Sequence, residues 1–230
     1  FPVWQTGLWF RGSGFYHAGK GWGMAKSKSS RRWLSAHFDD HYVKMAQQQG
    51  LRSRSAFKLL ELQEKYQLIR PGMTVVDLGA APGGWCQVAK PLVGEGGRVI
   101  GLDILEMDPL PGVEFIQGDF TEDEPLQALE ALLNGQEVDL VLSDMAPNMS
   151  GMAAIDQAKA MYLAELALEF VKAHLKPGGD FVVKLFQGVD FDGYVREVRS
   201  LFGKTQVRKP KASRPPSLEV YLIARDSQVK

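Results

Sequence analysis

Four charged side chains, Lys58, Asp144, Lys184 and Glu219, are the residues of this sequence best suited to do chemistry. Two amines and two carboxylates brought to one place can take up the proton of a weakly acidic hydroxyl and balance the charge that develops. Like charges repel and buried charges need partners, so four such groups gathered only as scaffolding would be costly. Catalysis is the simpler reading. Taken singly they say less. A lysine on a helix is commonly solvated, an aspartate after a strand commonly caps a turn, and Glu219 does no more than open a strand. Lys184 is harder to set aside, because Val182, Val183, Leu185 and Phe186 flank it and lysines are seldom buried without a partner or a task.

The elements that must position these residues follow from periodicity and from Gly and Pro punctuation. Ser53 is expected to cap a helix reaching about Gln67, with Lys58 inside it and Phe57, Leu60, Leu62 and Tyr66 toward the core. Pro71-Gly72 ends that helix. Strands are expected over Met73–Leu78, Arg98–Asp103, Val113–Gln117, Val138–Ser143, Asp180–Phe186, Thr205–Lys209 and Glu219–Ala224. Helices are expected near Asp40–Gln47 and over Trp85–Val93, Glu124–Asn134, Ala153–Leu175 and Phe191–Phe202, the fourth closed by Lys176-Pro-Gly-Gly179. Strands alternating with helices predict an α/β fold, a mostly parallel doubly wound sheet whose closing pair forms a hairpin-like antiparallel edge.

A chain of 230 residues with 45% hydrophobic content can bury a sizeable core and fits one such domain better than two. Residues 24–230 are read as that domain, with a basic N-terminal segment. Phe1 to Gly23 is Gly- and aromatic-rich and lacks periodicity, so it reads as a disordered leader or an added extension ahead of Met24. The formal net charge is zero, yet basic residues crowd both ends of the domain and acidic ones its middle. That asymmetry fits a polyanion laid across one face. Cys86 is the only cysteine, which excludes an intramolecular disulfide and a cysteine-based metal site. No apolar run is long enough to span a membrane, and the expected location is the cytoplasm.

Asp77-Leu-Gly-Ala-Ala-Pro-Gly-Gly-Trp85 joins a strand to a helix, where open α/β sheets bind nucleotides. Its spacing departs from the dinucleotide fingerprint: alanine stands where the second glycine belongs, and Pro82 lacks the backbone donor a pyrophosphate would use. An adenosine-bearing ligand without phosphates fits better, and S-adenosylmethionine (SAM) is the common one. Asp103 ends the next strand, where a carboxylate accepts ribose hydroxyls, and Asp119 follows the one after, where it can accept from the adenine amino group.

Several segments together carry a resemblance. They are Gly50-Leu-Arg-Ser-Arg-Ser-Ala-Phe-Lys58-Leu, the Asp77 to Trp85 loop, Gln117-Gly-Asp-Phe120, Ser143-Asp-Met-Ala-Pro-Asn-Met-Ser-Gly151, Phe181-Val-Val-Lys184-Leu-Phe-Gln-Gly188 and Val207-Arg-Lys-Pro210. From about Met24 to Ala224 the chain resembles the FtsJ (RrmJ) family of ribosomal RNA large-subunit 2'-O-methyltransferases. The resemblance implies a Rossmann-like, SAM-dependent fold and methyl transfer to a ribose 2'-hydroxyl, a uridine of 23S rRNA, on an assembled or maturing large ribosomal subunit. It implies that Lys58, Asp144, Lys184 and Glu219 are the catalytic set, with Lys184 the proton acceptor. Cofactor contacts carry over to Gly83, Trp85, Asp103, Asp119 and Asp144. Cys86 and Leu185 depart from the matching motifs, and Phe1 to Gly23 has no counterpart.

RNA is expected to meet Arg31, Arg32, Arg52, Arg54, Arg208, Lys209, Lys211 and Arg214. These are chiefly phosphate contacts, which give affinity and little sequence reading. The expected state is a monomer without membrane attachment. Other readings stay open at this level: a methyltransferase for tRNA or mRNA-cap ribose, or a non-catalytic ribosome-assembly factor that uses the fold to bind RNA. An NAD-dependent oxidoreductase is disfavoured by the glycine spacing.

Overall fold

The computed structural model describes residues 40–214 and 217–229; the Phe1 to Gly23 extension and the Arg31 and Arg32 pair lie outside them. Five apolar runs form parallel neighbours in one sheet: β1 (Thr74–Leu78), β2 (Arg98–Asp103), β3 (Val113–Gln117), β4 (Val138–Ser143) and β5 (Leu175–Phe186). With β6 (Phe202–Arg208) and β7 (Glu219–Ser227), the order is β3-β2-β1-β4-β5-β7-β6. The helices are α1 (His41–Gln48), α2 (Ala56–Tyr66), α3 (Gly84–Val93), α4 (Asp123–Leu133), α5 (Ala153–His174) and α6 (Phe191–Leu201).

Continuous rather than alternating hydrophobicity along the central strands reflects cover on both faces. Val76, Leu78, Val141, Phe181 and Val183 pack into a core with α4, α5 and α6, while Val75, Leu140, Leu142 and Val182 pack into a second with α2 and α3. Full burial of such a side chain contributes about 1.5–3 kcal/mol, so the sheet is fixed firmly from both sides.

The closing pair is antiparallel and forms one edge of the sheet, as expected, with β6 outermost. β7 inserts between β5 and β6, antiparallel to both. Lys184 therefore lies directly opposite Tyr221, and Phe186 opposite Glu219. β5 also starts earlier than the sequence predicts. Leu175 pairs with Val138, the register shifts before Leu140 meets Asp180, and the Lys176-Pro-Gly-Gly179 stretch lies within the strand range.

Two further corrections concern α2. Ser53 does not cap it. The N-cap is Ser55, whose side chain makes no capping bond, and the hydroxyls of Ser53 and Ser55 bond each other at 2.6 Å. The buried residues of the helix are Ala56, Lys58, Leu59 and Leu62, whereas Leu60 faces solvent. At the other end Gln67 adopts a left-handed conformation at φ 49° and stops the helix.

Candidate active site

The turn from β1 into α3 opens a cleft of about 520 Å³ at the carboxyl ends of β1, β2 and β4. Gly79 has φ +84°, and a Cβ there would come within 2.8 Å of the Met145 backbone nitrogen. Only glycine lets the two strand ends approach so closely. Asp103 holds the turn through Ala81 N (2.9 Å) and its own loop through Leu105 N (2.8 Å). Asp119 accepts from Thr121 N (2.9 Å) and Thr121 Oγ1 (2.8 Å) through Oδ1. Both carboxylates line the cleft with Asp144, and Lys159 is the one lysine or arginine among the residues lining it. Three carboxylates against one ammonium suit a cationic ligand and oppose a pyrophosphate.

Asp144 belongs to a second arrangement as well. Lys184 Nζ donates to the Asp144 carbonyl at 2.6 Å and lies 3.1 Å from Asp144 Oδ1. Tyr221 Oη donates to the same Oδ1 at 2.6 Å and accepts from Lys58 Nζ at 3.0 Å. Lys58 Nζ in turn pairs with Glu219 Oε1 at 2.6 Å, and Ser213 Oγ donates to that oxygen at 2.9 Å. The four charged residues are thus joined in one chain, Glu219–Lys58–Tyr221–Asp144–Lys184. Two ammonium groups meet two carboxylates, and each partly desolvated charge has a counter-charge.

Gly83 and Trp85 are placed differently from a direct side-chain contact. Both are buried behind the turn, away from the cleft walls. The Trp85 indole donates to Ser55 O at 2.8 Å and its ring lies 5.7 Å from that of Tyr221, so it braces α2 and β7.

The basic residues divide into two groups. Arg52 spends its guanidinium on the carbonyls of Pro82 (3.2 Å), Pro109 (2.8 Å) and Asp108, and so buttresses the turn. Arg54 pairs with Asp40 and donates to Ala212 O. These two arginines act as internal ties. Arg208 at the end of β6 and Lys209, Lys211 and Arg214 on the connection to β7 are exposed, Arg214 also lying 3.5 Å from Asp40, and α2 holds this segment through Tyr66 to Arg208 and Glu61 to the Lys211 backbone.

Residues 51–227 match the family model described as FtsJ-like methyltransferase. The chain belongs to the FtsJ-like methyltransferase family. Relatives named ribosomal RNA large subunit methyltransferase E include those of Alkalilimnicola ehrlichii and Chromobacterium violaceum. The first is 64% identical over 196 residues, 85% of this chain and 94% of the relative. The second is 59% identical over 202 residues, 88% of this chain and 98% of the relative. Among solved structures, a ribosomal RNA methyltransferase from Plasmodium falciparum superposes with a TM-score of 0.68 at 29% identity, covering 78% of this chain and all of the other.

In this FtsJ-like methyltransferase, Tyr221 is the site residue that reasoning from charge alone passes over. A signal for it exists: it lies two residues beyond Glu219 on a strand, hence on the same face. Burial first, then the charges of Asp144 and Glu219, push its phenol well above the ordinary range, so it stays a proton donor. Tyr221→Phe is expected to lower turnover about 10- to 100-fold, the worth of hydrogen bonds to charged groups, with cofactor affinity unchanged. Single-turnover methylation rates would check this, and a rate equal to the parent's would contradict the bridging role.

Asp77, wholly buried on β1, has Oδ1 without a partner and Oδ2 receiving the Cys86 thiol at 3.1 Å. Burial, with the nearby charges of Asp144 and Asp103, pushes its carboxyl from 3.8 to about 7 against the opposing Cys86 hydrogen bond. The folded state therefore keeps a proton that the unfolded state releases. The resulting stabilisation is complete below about pH 4 and is lost as pH rises toward about 7. Asp77→Asn has no charge to bury. It is expected to gain roughly 2–4 kcal/mol relative to the parent between those limits, read from urea midpoints at acid and neutral pH. A stability difference that does not change with pH would contradict this.

Proposed function

We propose that this methyltransferase uses SAM to methylate a ribose 2'-hydroxyl, that of a uridine in 23S rRNA, on the assembled or maturing large ribosomal subunit, acting as a cytoplasmic monomer. The observation that carries the reading is that Asp144 is at once a wall of the cleft and a link of the charged chain, so the methyl donor and the proton-handling amine meet there. The printed names of the relatives support the choice of RNA. Among the described residues no helix is long and apolar enough to cross a membrane.

The residues present fit the cofactor. Asp103 keeps acceptor capacity for ribose hydroxyls, Asp119 Oδ2 keeps acceptor capacity for an adenine amine, and Gly79 lets the Met145 backbone close the cleft wall beside Asp144. SAM supplies a methyl group on a sulfonium that leaves readily. What remains for the protein is alignment and proton uptake. Lys184, with only 7% of its side chain exposed, is held by two oxygens of one residue, so its nitrogen has a fixed position against Asp144, which lines the cleft. Proton uptake from the attacking hydroxyl requires the amine form of Lys184, and Asp144 faces the ammonium before that form is reached and again after the transfer. Burial opposes ionisation of Asp144, but the charges of Lys184 and Lys58 and the Tyr221 hydrogen bond outweigh it and hold the carboxyl below the usual range. Asp144 is therefore charged throughout neutral pH. Lys58 and Glu219 hold the far end of the chain and act as positioning residues through Tyr221.

The test is incubation with methyl-labelled SAM and, separately, naked rRNA, tRNA and isolated ribosomal subunits lacking the modification. Label in a large-subunit rRNA ribose is expected. Label confined to tRNA would overturn the substrate, and none in any RNA would favour an assembly factor.

A further inference from the structure

Nine large apolar side chains stand exposed among the described residues, and all but Leu60 lie at the carboxyl edge of the sheet or on α5 beside it. Ile104, Leu105 and Tyr162 line the cleft and are accounted for by the cofactor. Met149, Met152, Val189 and Leu218 are not among its lining residues, yet they are 66%, 62%, 73% and 61% exposed. An apolar surface of this kind at the rim of a site marks something that binds there.

These four side chains come from the three connections that adjoin Asp144, Lys184 and Glu219. Met149 follows Asp144 by five residues, Val189 follows Lys184 by five, and Leu218 immediately precedes Glu219. The connections are also tied to one another. Asp156 accepts from Ser150 N (2.7 Å) and Gly151 N (3.1 Å), the next residue Gln157 donates to Val189 O (3.2 Å), and Gln187 N donates to Leu218 O (3.1 Å). The apolar tips are held, not loose.

We propose that this rim receives the faces of unstacked bases in the RNA strand that presents the target ribose. The proposal rests on the ribose-methylation reading above. Only 7% of the Lys184 side chain is exposed, so a ribose reaches it with least obstruction when its nucleotide has left the stack, and leaving bares the apolar faces of its own base and of a neighbour. Thioether and aliphatic surfaces cover such faces without selecting a hydrogen-bonding edge. Charge favours the same occupant: next to Leu218, the end of β6 and its connection to β7 present exposed Arg208, Lys209, Lys211 and Arg214, and Lys209 Nζ is anchored on Ser217 O at 2.6 Å. Bases on the rim and phosphates on this basic segment make one continuous track for a single strand.

The test compares Met149→Ser/Met152→Ser and Val189→Ser/Leu218→Ser with the parent, all changes at exposed positions. Binding to a fluorescein-labelled, protein-free oligouridylate is read by anisotropy across a salt series. SAM affinity is read by calorimetry, and methylation on large subunits lacking the modification. Each double variant is expected to bind the oligouridylate about ten-fold more weakly, with the slope of log affinity against log salt unchanged, because apolar contacts release no counterions. SAM affinity is expected to match the parent's. Parent-like oligouridylate affinity in both variants would overturn the proposal. So would a shallower salt slope, which would assign the loss to phosphates, and so would weakened binding to subunits alone, which would assign the rim to a ribosomal protein. A parent that methylates no large subunit would instead defeat the ribose-methylation reading itself.

Discussion

Lys184→Ala is expected to lower the rate of methyl transfer by about a thousand-fold while leaving SAM affinity within about two-fold of the parent, the range that loss of a positioned proton acceptor produces. The separation of the two effects follows from placement. Lys184 touches Asp144 and lies outside the residues lining the cleft, so its removal takes away proton uptake without reshaping the cofactor walls. Single-turnover rates on large subunits and calorimetric titration with SAM give the two readouts. Turnover near that of the parent would remove Lys184 from the chemistry.

Asp144→Ala is expected to fail in both respects. Turnover falls by a similar factor, and SAM affinity drops about ten-fold as the cleft loses one of its carboxylates facing a cation. The fold weakens too, because Lys184 and Tyr221 lose their shared acceptor and an ammonium with 7% of its side chain exposed is left without its carboxylate; breaking a buried pair in this way costs about 3 kcal/mol. The pH dependence has a definite sign. The Asp144 carboxyl is held below the ordinary carboxylate value, so its contribution is present above that value and is lost as pH falls through the folded one. The stability gap between parent and variant should therefore be widest at neutral pH and close on acidification, as urea midpoints would record. SAM affinity equal to the parent's would mean that Asp144 serves only the charged chain.

The strands were the most legible part of the sequence. β2 and β4 begin and end where their apolar runs do, because both faces are buried and polar or Gly-containing segments punctuate them, and β3, half-buried at the edge, keeps its expected bounds through the same punctuation. β5 was read short, since Pro177 and two glycines look like a turn although the backbone pairs with β4 before them. The face of α2 was misphased for an instructive reason: a search for apolar residues places Lys58 outside, while the structure buries it beside Leu59 and Leu62 because Glu219 and Tyr221 wait for its ammonium. The four charged residues could be picked out by type and place. Tyr221 is marked only by sharing a strand face with Glu219, because a phenol in an apolar strand looks like core until its hydroxyl's neighbours are known. Arg52 and Arg54 show what sequence conceals, since a basic residue does not reveal whether its donors face solvent or the chain's own carbonyls.

The insertion of β7 between β5 and β6 sets a timetable. Lys58 lies in the second helix, yet its two partners, Glu219 and Tyr221, arrive on the last strand of the sheet, more than 160 residues later in the hydrogen bond to Tyr221. While the chain is being synthesised, the cofactor turn and Asp144 emerge long before the strand that joins Lys58 to Asp144. A chain that has not yet made β7 lacks Tyr221 and Glu219, and with them the link from Lys58 to Asp144. The complete charged chain is therefore assembled only when the last strand of the sheet is in place.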